Sequence, residues 1–174
     1  DVGQNNVNYG SNSLGHGSAS GHEYNVAIGF NAMYSLTAGD LNTALGYRAM
    51  YNTTTGLSNV AAGAEALQAN TTGGYNTATG YQTLYTNTTA DFNTATGYHA
   101  LYDNTTGSQN TATGVFALAD NTTGNHNTAI GYQATRLNTT GYSNVAAGYQ
   151  SLHSNTTGST NTGYGYQSLY SNTT

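Results

Sequence analysis

The chain has no cysteine, no proline, no tryptophan and no lysine. Without cysteine there is no disulfide framework, no thiolate zinc site and no cysteine nucleophile. Its two cations, Arg48 and Arg136, cannot neutralise a run of phosphates, which argues against binding to nucleic acid or to anionic membranes. No apolar run approaches the length of a membrane span, so we expect no membrane insertion within this segment. Because the chain opens with Asp1, we expect a mature form or a segment of a longer protein.

Large apolar residues are also scarce, since Leu, Ile, Val and Phe make up only 23 of the 174 residues. Such a composition is typical of disordered chains, which bury too little apolar area to offset their entropy. The high charge that usually accompanies disorder is missing, because the formal net charge is only −5. Gly, Thr and Asn instead account for 77 of the 174 residues.

The order of these residues is strictly periodic, with a step of 17. The unit reads N-T-A-x-G-Y-x-A-L-Y-x-N-T-T-G-x-x, and we number its positions from the first Asn. Position 1 is occupied by Asn25, Asn42, Asn59, Asn76, Asn93, Asn110, Asn127, Asn144 and Asn161. Position 5 is occupied by Gly29, Gly46, Gly63, Gly80, Gly97, Gly114, Gly131, Gly148 and Gly165. Residues 1–24 form a degenerate first unit with a short Gly/Ser/His insertion, and residues 25–174 hold nine regular units.

This period predicts an all-β fold, a parallel β-solenoid in which each unit is one coil. Helical repeats are mostly longer and favour Ala, Leu, Glu and Lys over Thr, Asn and Gly. Coils that stack at a strand spacing of about 4.8 Å would make a rod about 48 Å long from ten coils. Positions 2 to 6 alternate as a short strand, and positions 8 and 9 supply a second packing layer of Ala and Leu. The N-T-T-G segment at positions 12 to 15 forms the corner, where Asn amides can bond from coil to coil.

Both faces of the predicted strand are small or apolar, which is typical of a strand buried on both sides. One face fills a narrow interior, and the other requires a second surface, so we expect a homo-oligomer. This reason for an oligomer disappears if positions 2 and 4 face solvent in the isolated chain. The corner departs from its pattern at three places, where Leu36 and Thr53 replace Asn and Ala90 replaces Gly.

The N-T-A-x-G-Y-x-A-L string resembles the head repeats of trimeric autotransporter adhesins, and similar N-T-T-G-linked repeats occur in phage tail fibres. The resemblance covers the chain from Asn6 to Thr174. It implies a left-handed β-roll from each of three chains, packed around a threefold axis at a cell or virion surface. The coils here are longer than those of the best-known heads, and the extra length lies in the corner.

Tyrosine is the most prominent candidate surface feature, because it recurs at positions 6 and 10. Such a column of rings can stack sugars or contact a partner, or it can simply cover the corners of thin coils and contact neighbouring chains. The candidate contact column at position 6 comprises Tyr47, Tyr81, Tyr98, Tyr132, Tyr149 and Tyr166, and it is interrupted at Ala64 and Val115.

Threonine pairs on adjacent coils offer a second candidate, a flat hydroxyl array of the kind that ice-binding solenoids display, although ordinary β-branched packing explains them as well. The pairs are Thr77 and Thr79, Thr94 and Thr96, and Thr111 and Thr113.

Eight Asn-Thr-Thr triplets from Asn52 to Asn172 match the N-glycosylation pattern, but turn chemistry accounts for them without glycans.

Titratable residues form no catalytic set. Asp103 and Asp120 share position 11 on adjacent coils, but two carboxylates do not make a calcium cage. His16, His22 and Glu23 lie around the insertion. They either bind a metal or another ligand, or are incidental residues of a Gly/Ser loop. We find no nucleophile with its base, no phosphate loop and no metal-ligand spacing, and therefore expect no enzyme, no metal and no cofactor.

Together these features predict a structural or adhesive surface fibre segment that lies outside the cell or on a virion and assembles with itself. A surface glycan or a host receptor is the expected external partner. Neither end carries a charged or proline-bearing cap, so the first alternative is a filament subunit that stacks end to end. An ice-binding solenoid is the lesser alternative.

Overall fold

The computed structural model describes residues 5–15 and 22–174, and these residues confirm the β-solenoid. They form ten short strands in one parallel sheet, in which each strand pairs with the next one along the chain. Equivalent positions of successive coils lie opposite each other, as Ala95 and Ala112 do. The strands are β1 Val7–Tyr9, β2 Val26–Ile28, β3 Thr43–Leu45, β4 Val60–Ala62, β5 Thr77–Thr79, β6 Thr94–Thr96, β7 Thr111–Thr113, β8 Thr128–Ile130, β9 Val145–Ala147 and β10 Thr162–Tyr164.

Each strand covers only positions 2 to 4, so the expected strand over positions 2 to 6 was too long. The glycine at position 5 ends it, because this residue takes a φ that only glycine adopts readily. In Gly97, for example, φ is +132°. The main chain therefore turns at position 5, and the aromatic residue at position 6 already belongs to the turn.

The interior is built from positions 3, 8 and 9, as the sequence predicts. Ala95, Ala100 and Leu101 of one coil are fully buried, and most of the equivalent residues of the other regular coils, apart from the last one, belong to the same continuous core. Most coils contribute one large apolar side chain, at position 9, to this cluster. One coil has Thr135 there, and the first regular coil adds Leu36 to Met33. The low content of large apolar residues is therefore sufficient for folding.

Buried asparagine side chains at position 1 link the coils. The Oδ1 of Asn93 accepts a hydrogen bond of 2.9 Å from the main-chain N–H of Asn110, and Asn110 repeats this contact with Asn127 at 2.9 Å. The Nδ2 of Asn110 also donates across its own coil to the carbonyl oxygen of Gly124. The amide of Asn110 thus bonds to the neighbouring coils and also connects the start of its own coil to the corner at position 15.

A second asparagine column runs through the corner at position 12. Asn121 Nδ2 donates to Asn104 Oδ1 at 2.8 Å and to the carbonyl oxygen of Gly124 at 3.0 Å. The position-15 carbonyl therefore accepts from both asparagine columns. Position 13 is always Thr, and its hydroxyl donates to a main-chain oxygen of the next coil, as Thr122 does to Thr139.

Three further positions of each coil have left-handed backbone without being glycine. In one coil these are His99 at position 7, Leu101 at position 9 and Gln109 at position 17, with φ of 53°, 52° and 60°. A non-glycine residue in this region costs energy unless its surroundings hold it there. The core side chain and the hydrogen bonds between coils hold these residues in place, which the sequence pattern does not indicate.

The outer face of the sheet is exposed in the single chain, contrary to the expectation of strands buried on both sides. In β6 the side chains of Thr94 and Thr96 are exposed, while Ala95 between them is buried. Because alternate side chains of a strand point to opposite faces, positions 2 and 4 point outward along the whole rod. The strands are therefore buried on one face only, and the expectation of an oligomer that was based on burial of both faces is not supported by the single chain.

We predict that Gly97→Ala destabilises the fold by about 3 kcal/mol or more, because it combines backbone strain with a steric clash. An added Cβ would lie 2.5 Å from the carbonyl oxygen of Gly114, at a φ of +132°. The measurement is urea unfolding followed by circular dichroism. Gly74→Ser is the control, because position 16 carries Ser108 in another coil. Equal stability of the two variants would contradict the role of position 5.

Candidate surface site

The aromatic side chains at position 6 form an exposed column along one side of the rod. Tyr132 stacks on Tyr149 with ring centroids 5.2 Å apart, and Tyr149 stacks on Tyr166 at 5.2 Å. Phe30 and Tyr47 stack at 5.9 Å, which is about 1 Å more than the usual strand spacing. The six predicted contact residues are all exposed, at 41% to 45% for five of them and 73% for the last, and they are Tyr47, Tyr81, Tyr98, Tyr132, Tyr149 and Tyr166.

A second aromatic column at position 10 runs beside the first and is less exposed. Tyr34 stacks on Tyr51 at 5.1 Å, and Tyr85 stacks on Tyr102 at 5.1 Å. In two coils the position-7 side chain, Arg48 or His99, lies against rings of both columns. His99 stacks 4.0 Å from Tyr98 and 4.6 Å from Tyr102, so positions 6, 7 and 10 form one continuous surface in this coil.

Arginine occupies the same surface in two coils. The guanidinium carbon of Arg48 lies 5.2 Å from the ring centre of Tyr47 and 5.4 Å from that of Tyr51. Arg136 lies 4.9 Å from the ring centre of Phe116. Such cation–π contacts place hydrogen-bond donors among the aromatic rings.

The position-10 column also lacks tyrosine at Arg136 and His153. Both columns are interrupted together at two coils, which are three units apart. In the first of these coils positions 6, 7 and 10 are Ala64, Glu65 and Gln68, and in the second they are Val115, Phe116 and Ala119. We call the first interruption the Ala64 gap and the second the Val115 gap. The exposed surface therefore consists of separate aromatic segments rather than one uniform column.

The pKa values of two carboxyl groups at position 11 are raised above their ordinary values. Burial raises the pKa of Asp120, while Arg136 opposes the rise and the Asp103 carboxylate adds to it. Burial also raises the pKa of Asp103, against the influence of His99, and burial lowers the pKa of His153. These groups are coupled electrostatically.

Across residues 5–15 and 22–174, no three His, Cys, Asp or Glu side chains are grouped so as to hold a metal ion.

Of the candidate residues at the insertion, the structure describes His22 and Glu23. His22 is buried, and its Nδ1 lies 3.2 Å from the Nδ2 of Asn6, which also donates to the His22 carbonyl oxygen. Glu23 is exposed, and its main-chain N–H donates to Asp40. His16 lies outside the described residues. The Asn6 amide therefore accounts for the position of His22 without a metal.

Six of the eight Asn-Thr-Thr asparagines are fully buried, with their amides in the corner column. They are Asn70, Asn87, Asn104, Asn121, Asn138 and Asn155. Asn52 is exposed and Asn172 is half-buried. A folded coil cannot present a buried amide to a glycosylating enzyme, so hydrogen bonding explains most of these triplets.

The threonine pairs lie on the outer face of the sheet in exact register across β5, β6 and β7. Thr79, Thr96 and Thr113 are exposed, and the position-2 threonines beside them are half-buried or exposed. The array is therefore a surface feature and not part of the core.

Comparisons of the chain with family models, with curated proteins and with solved structures find no match. Within the residues that the structure describes, no helix has the length and apolar character needed to cross a membrane. The function is therefore inferred from the geometry of the rod surface.

Sequence reasoning identified the position-6 column but missed how position 7 joins it to position 10. The residues at position 7 have no common chemistry, since they include Arg48, Glu65, His99 and Phe116. Their shared left-handed backbone places them on the aromatic surface. The mixture of Asn, Gln and His at this position was a weak signal for such a backbone.

We predict that Asp120→Asn stabilises the protein at neutral pH and that the gain disappears below pH 3.8, the ordinary pKa of the group. A raised pKa in the folded state means that this group favours folding when protonated, and that this contribution is lost as pH rises through the folded pKa. Asparagine stays neutral at every pH, and Asn52 already occupies position 11 in another coil. Urea unfolding at the two pH values measures the effect, with the exposed Glu23→Gln as control. A gain that persists at the lower pH would contradict the electrostatic cause.

Proposed function

We propose that the chain is a segment of an extracellular surface fibre, at a cell or virion surface, that acts as a structural and adhesive rod. The observation that carries this proposal is a β-solenoid of low charge that repeats similar exposed side chains on most of its coils. A rod of this kind presents many equal contacts along its length, so weak individual contacts add up. It needs no cofactor for this role.

We propose further that the working form is a homotrimer packed through positions 2 and 4. These positions carry no charged residue in any of the ten strands, and several of their apolar side chains are exposed, among them Val60, Ile28 and Ile130. A continuous exposed face with apolar side chains typically marks an interaction surface. The side chains repeat in register, so an identical chain offers a matching surface along the whole rod.

The aromatic columns support the adhesive part of the proposal. Tyrosine combines a large apolar ring with a polar tip and is enriched at recognition surfaces. This surface belongs to the turn that follows each strand and not to the strand residues at positions 2 and 4. It therefore stays available when the sheet face is occupied by other copies, and a surface glycan or a host receptor is the external partner that we propose.

An ice-binding role is the second candidate, and the exposed threonine array favours it. The three Thr-x-Thr pairs form two parallel columns of hydroxyl and methyl groups. The array covers only three coils, because position 4 becomes Ile130 in β8 and Ala62 in β4. Thermal hysteresis tests this candidate, and its absence would remove it.

We predict that Thr96→Lys dissociates the assembly while leaving each chain folded. The residue is exposed in the single chain but would be buried between chains, where an unpaired charge costs several kcal/mol, about 3 or more. Light scattering should give three times the chain mass of 18.0 kDa for the unchanged protein and one chain mass for the variant. Circular dichroism checks the fold. Thr106→Lys is the matched control, because it places the same charge on an exposed corner.

The same preparations separate the alternatives. A monomeric unchanged protein would contradict the trimer, and a mass that grows with concentration, with filaments in electron micrographs, would favour end-to-end stacking. Beads coated with the trimer should attach to mucin-coated glass more strongly than albumin-coated beads. Equal attachment would contradict the adhesive part of the proposal.

A further inference from the structure

One of the eight Asn-Thr-Thr triplets is displaced by one residue along its coil. The other seven place their asparagine at position 12, in the corner column, whereas Asn52 occupies position 11 and Thr53 takes position 12. Thr53 is fully buried, and the Nδ2 of Asn70 reaches its Oγ1 only at 3.5 Å. The next contact of the column, from the Nδ2 of Asn87 to the Oδ1 of Asn70, is 2.9 Å. The displacement therefore weakens the corner column at this coil.

The displaced asparagine faces solvent. The side chain of Asn52 is exposed. Its main-chain N–H donates to the carbonyl oxygen of Gln68 at 3.0 Å, but its side-chain amide makes no hydrogen bond to any residue that the structure describes. By contrast, the half-buried Asn172 donates from its Nδ2 to Asn155 at 3.1 Å and so belongs to the corner column. Hydrogen bonding within the fold therefore does not explain the triplet at Asn52.

The neighbours of Asn52 along the rod leave room for a bulky group. Position 11 of the preceding coil is Ser35 and that of the following coil is Ala69, which are both small. Sugars on every coil would crowd one another at a spacing of about 4.8 Å, but a single one at Asn52 has no such neighbour. The site lies in the turn and not at the strand positions through which we propose that the chains pack.

The third residue of the triplet completes the acceptor pattern. Thr54 is half-buried, and its hydroxyl donates to the carbonyl oxygen of Thr71 at 3.1 Å. The hydroxyl oxygen keeps its capacity to accept a hydrogen bond. An Asn-x-Thr sequence in a surface turn is the usual setting of an N-linked sugar. Asn52 thus combines this pattern with an exposed and unbonded amide.

We propose that Asn52 is a site of N-linked glycosylation. The sugar donor is a sugar whose C1 is activated by a nucleotide diphosphate or a lipid diphosphate. A bond forms between C1 and the Nδ2 of Asn52, the bond from C1 to the diphosphate oxygen breaks, and the diphosphate leaves with the electron pair. The amide proton passes to a base of the transferring enzyme. This inference depends on neither the trimer nor the adhesion proposed above.

The test incubates the folded protein, purified without glycans, with UDP-glucose and a soluble N-glycosyltransferase that recognises Asn-x-Thr, and maps the product by mass spectrometry of its peptides. We expect one hexose on Asn52 and none on the six fully buried asparagines of the corner column. Chymotryptic peptides of the same chain, treated in the same way, should also be modified at Asn104. The contrast separates the effect of the fold from that of the sequence pattern.

Matched variants test the triplet and its displacement. Thr54→Ala removes the hydroxyl that the acceptor pattern requires and should abolish the modification, whereas Thr55→Ala, at the next exposed residue, should not. The double change Asp103→Asn with Asn104→Thr displaces the triplet of another coil in the same way. It should add a second hexose, at position 103. Circular dichroism checks that each variant is folded.

Absence of a hexose on Asn52 in the folded protein would overturn the proposal, and so would equal modification of Asn52 and the buried Asn104. Thr53→Asn returns an amide to position 12 and keeps an Asn-x-Thr pattern at Asn52. It should raise the stability measured by urea unfolding and leave Asn52 modified. Loss of the hexose in this variant would also contradict the proposal, since exposure at position 11 is unchanged.

Discussion

The structure depends on the hydrogen bonds that buried asparagine side chains make from one coil to the next. At position 1 each Oδ1 accepts the main-chain N–H of the next asparagine at 2.7–3.0 Å. A buried polar group without a partner is costly, so a coil of different length would leave both an amide and an N–H unpaired. This requirement keeps the period at 17 residues through nine units. The corner column at position 12 sets the same condition at a second point of the coil.

Fixed register explains the unusual composition. Identical residues lie above one another at about 4.8 Å, so a column of lysines or glutamates would repel itself, whereas columns of Asn, Thr, Ala and Tyr attract or are neutral. In most coils the core needs only one Leu or Met, because the buried side chains of successive coils form one continuous cluster. Scarce charge and scarce large apolar residues are therefore two results of one stacking geometry. The same geometry leaves an uncharged sheet face and an aromatic surface along the rod.

Much of this architecture can be predicted from the repeat, because each buried column has a fixed residue type. The core at Ala95 and Leu101, the glycine column at Gly97 and the amide column at Asn104 all follow from the pattern. Three features do not follow. Left-handed backbone at Leu101 or His99 depends on contacts between coils that residue type does not reveal. The outward position of Thr96 was missed because small and β-branched residues suit both a buried and an exposed face. The hydrogen bond of Glu65 with Gln82 depends on the left-handed backbone at position 7, which residue type does not reveal.

The most direct test of the asparagine account is the stability of Asn110→Ala. This change removes the acceptor of the Asn127 main-chain N–H and a donor to Gly124, so urea unfolding should show a loss of about 2 kcal/mol or more. Thr123→Ala, an exposed corner residue of the same chain, should change stability by less than about 0.5 kcal/mol. A variant Asn110→Ala that is as stable as Thr123→Ala would contradict the account.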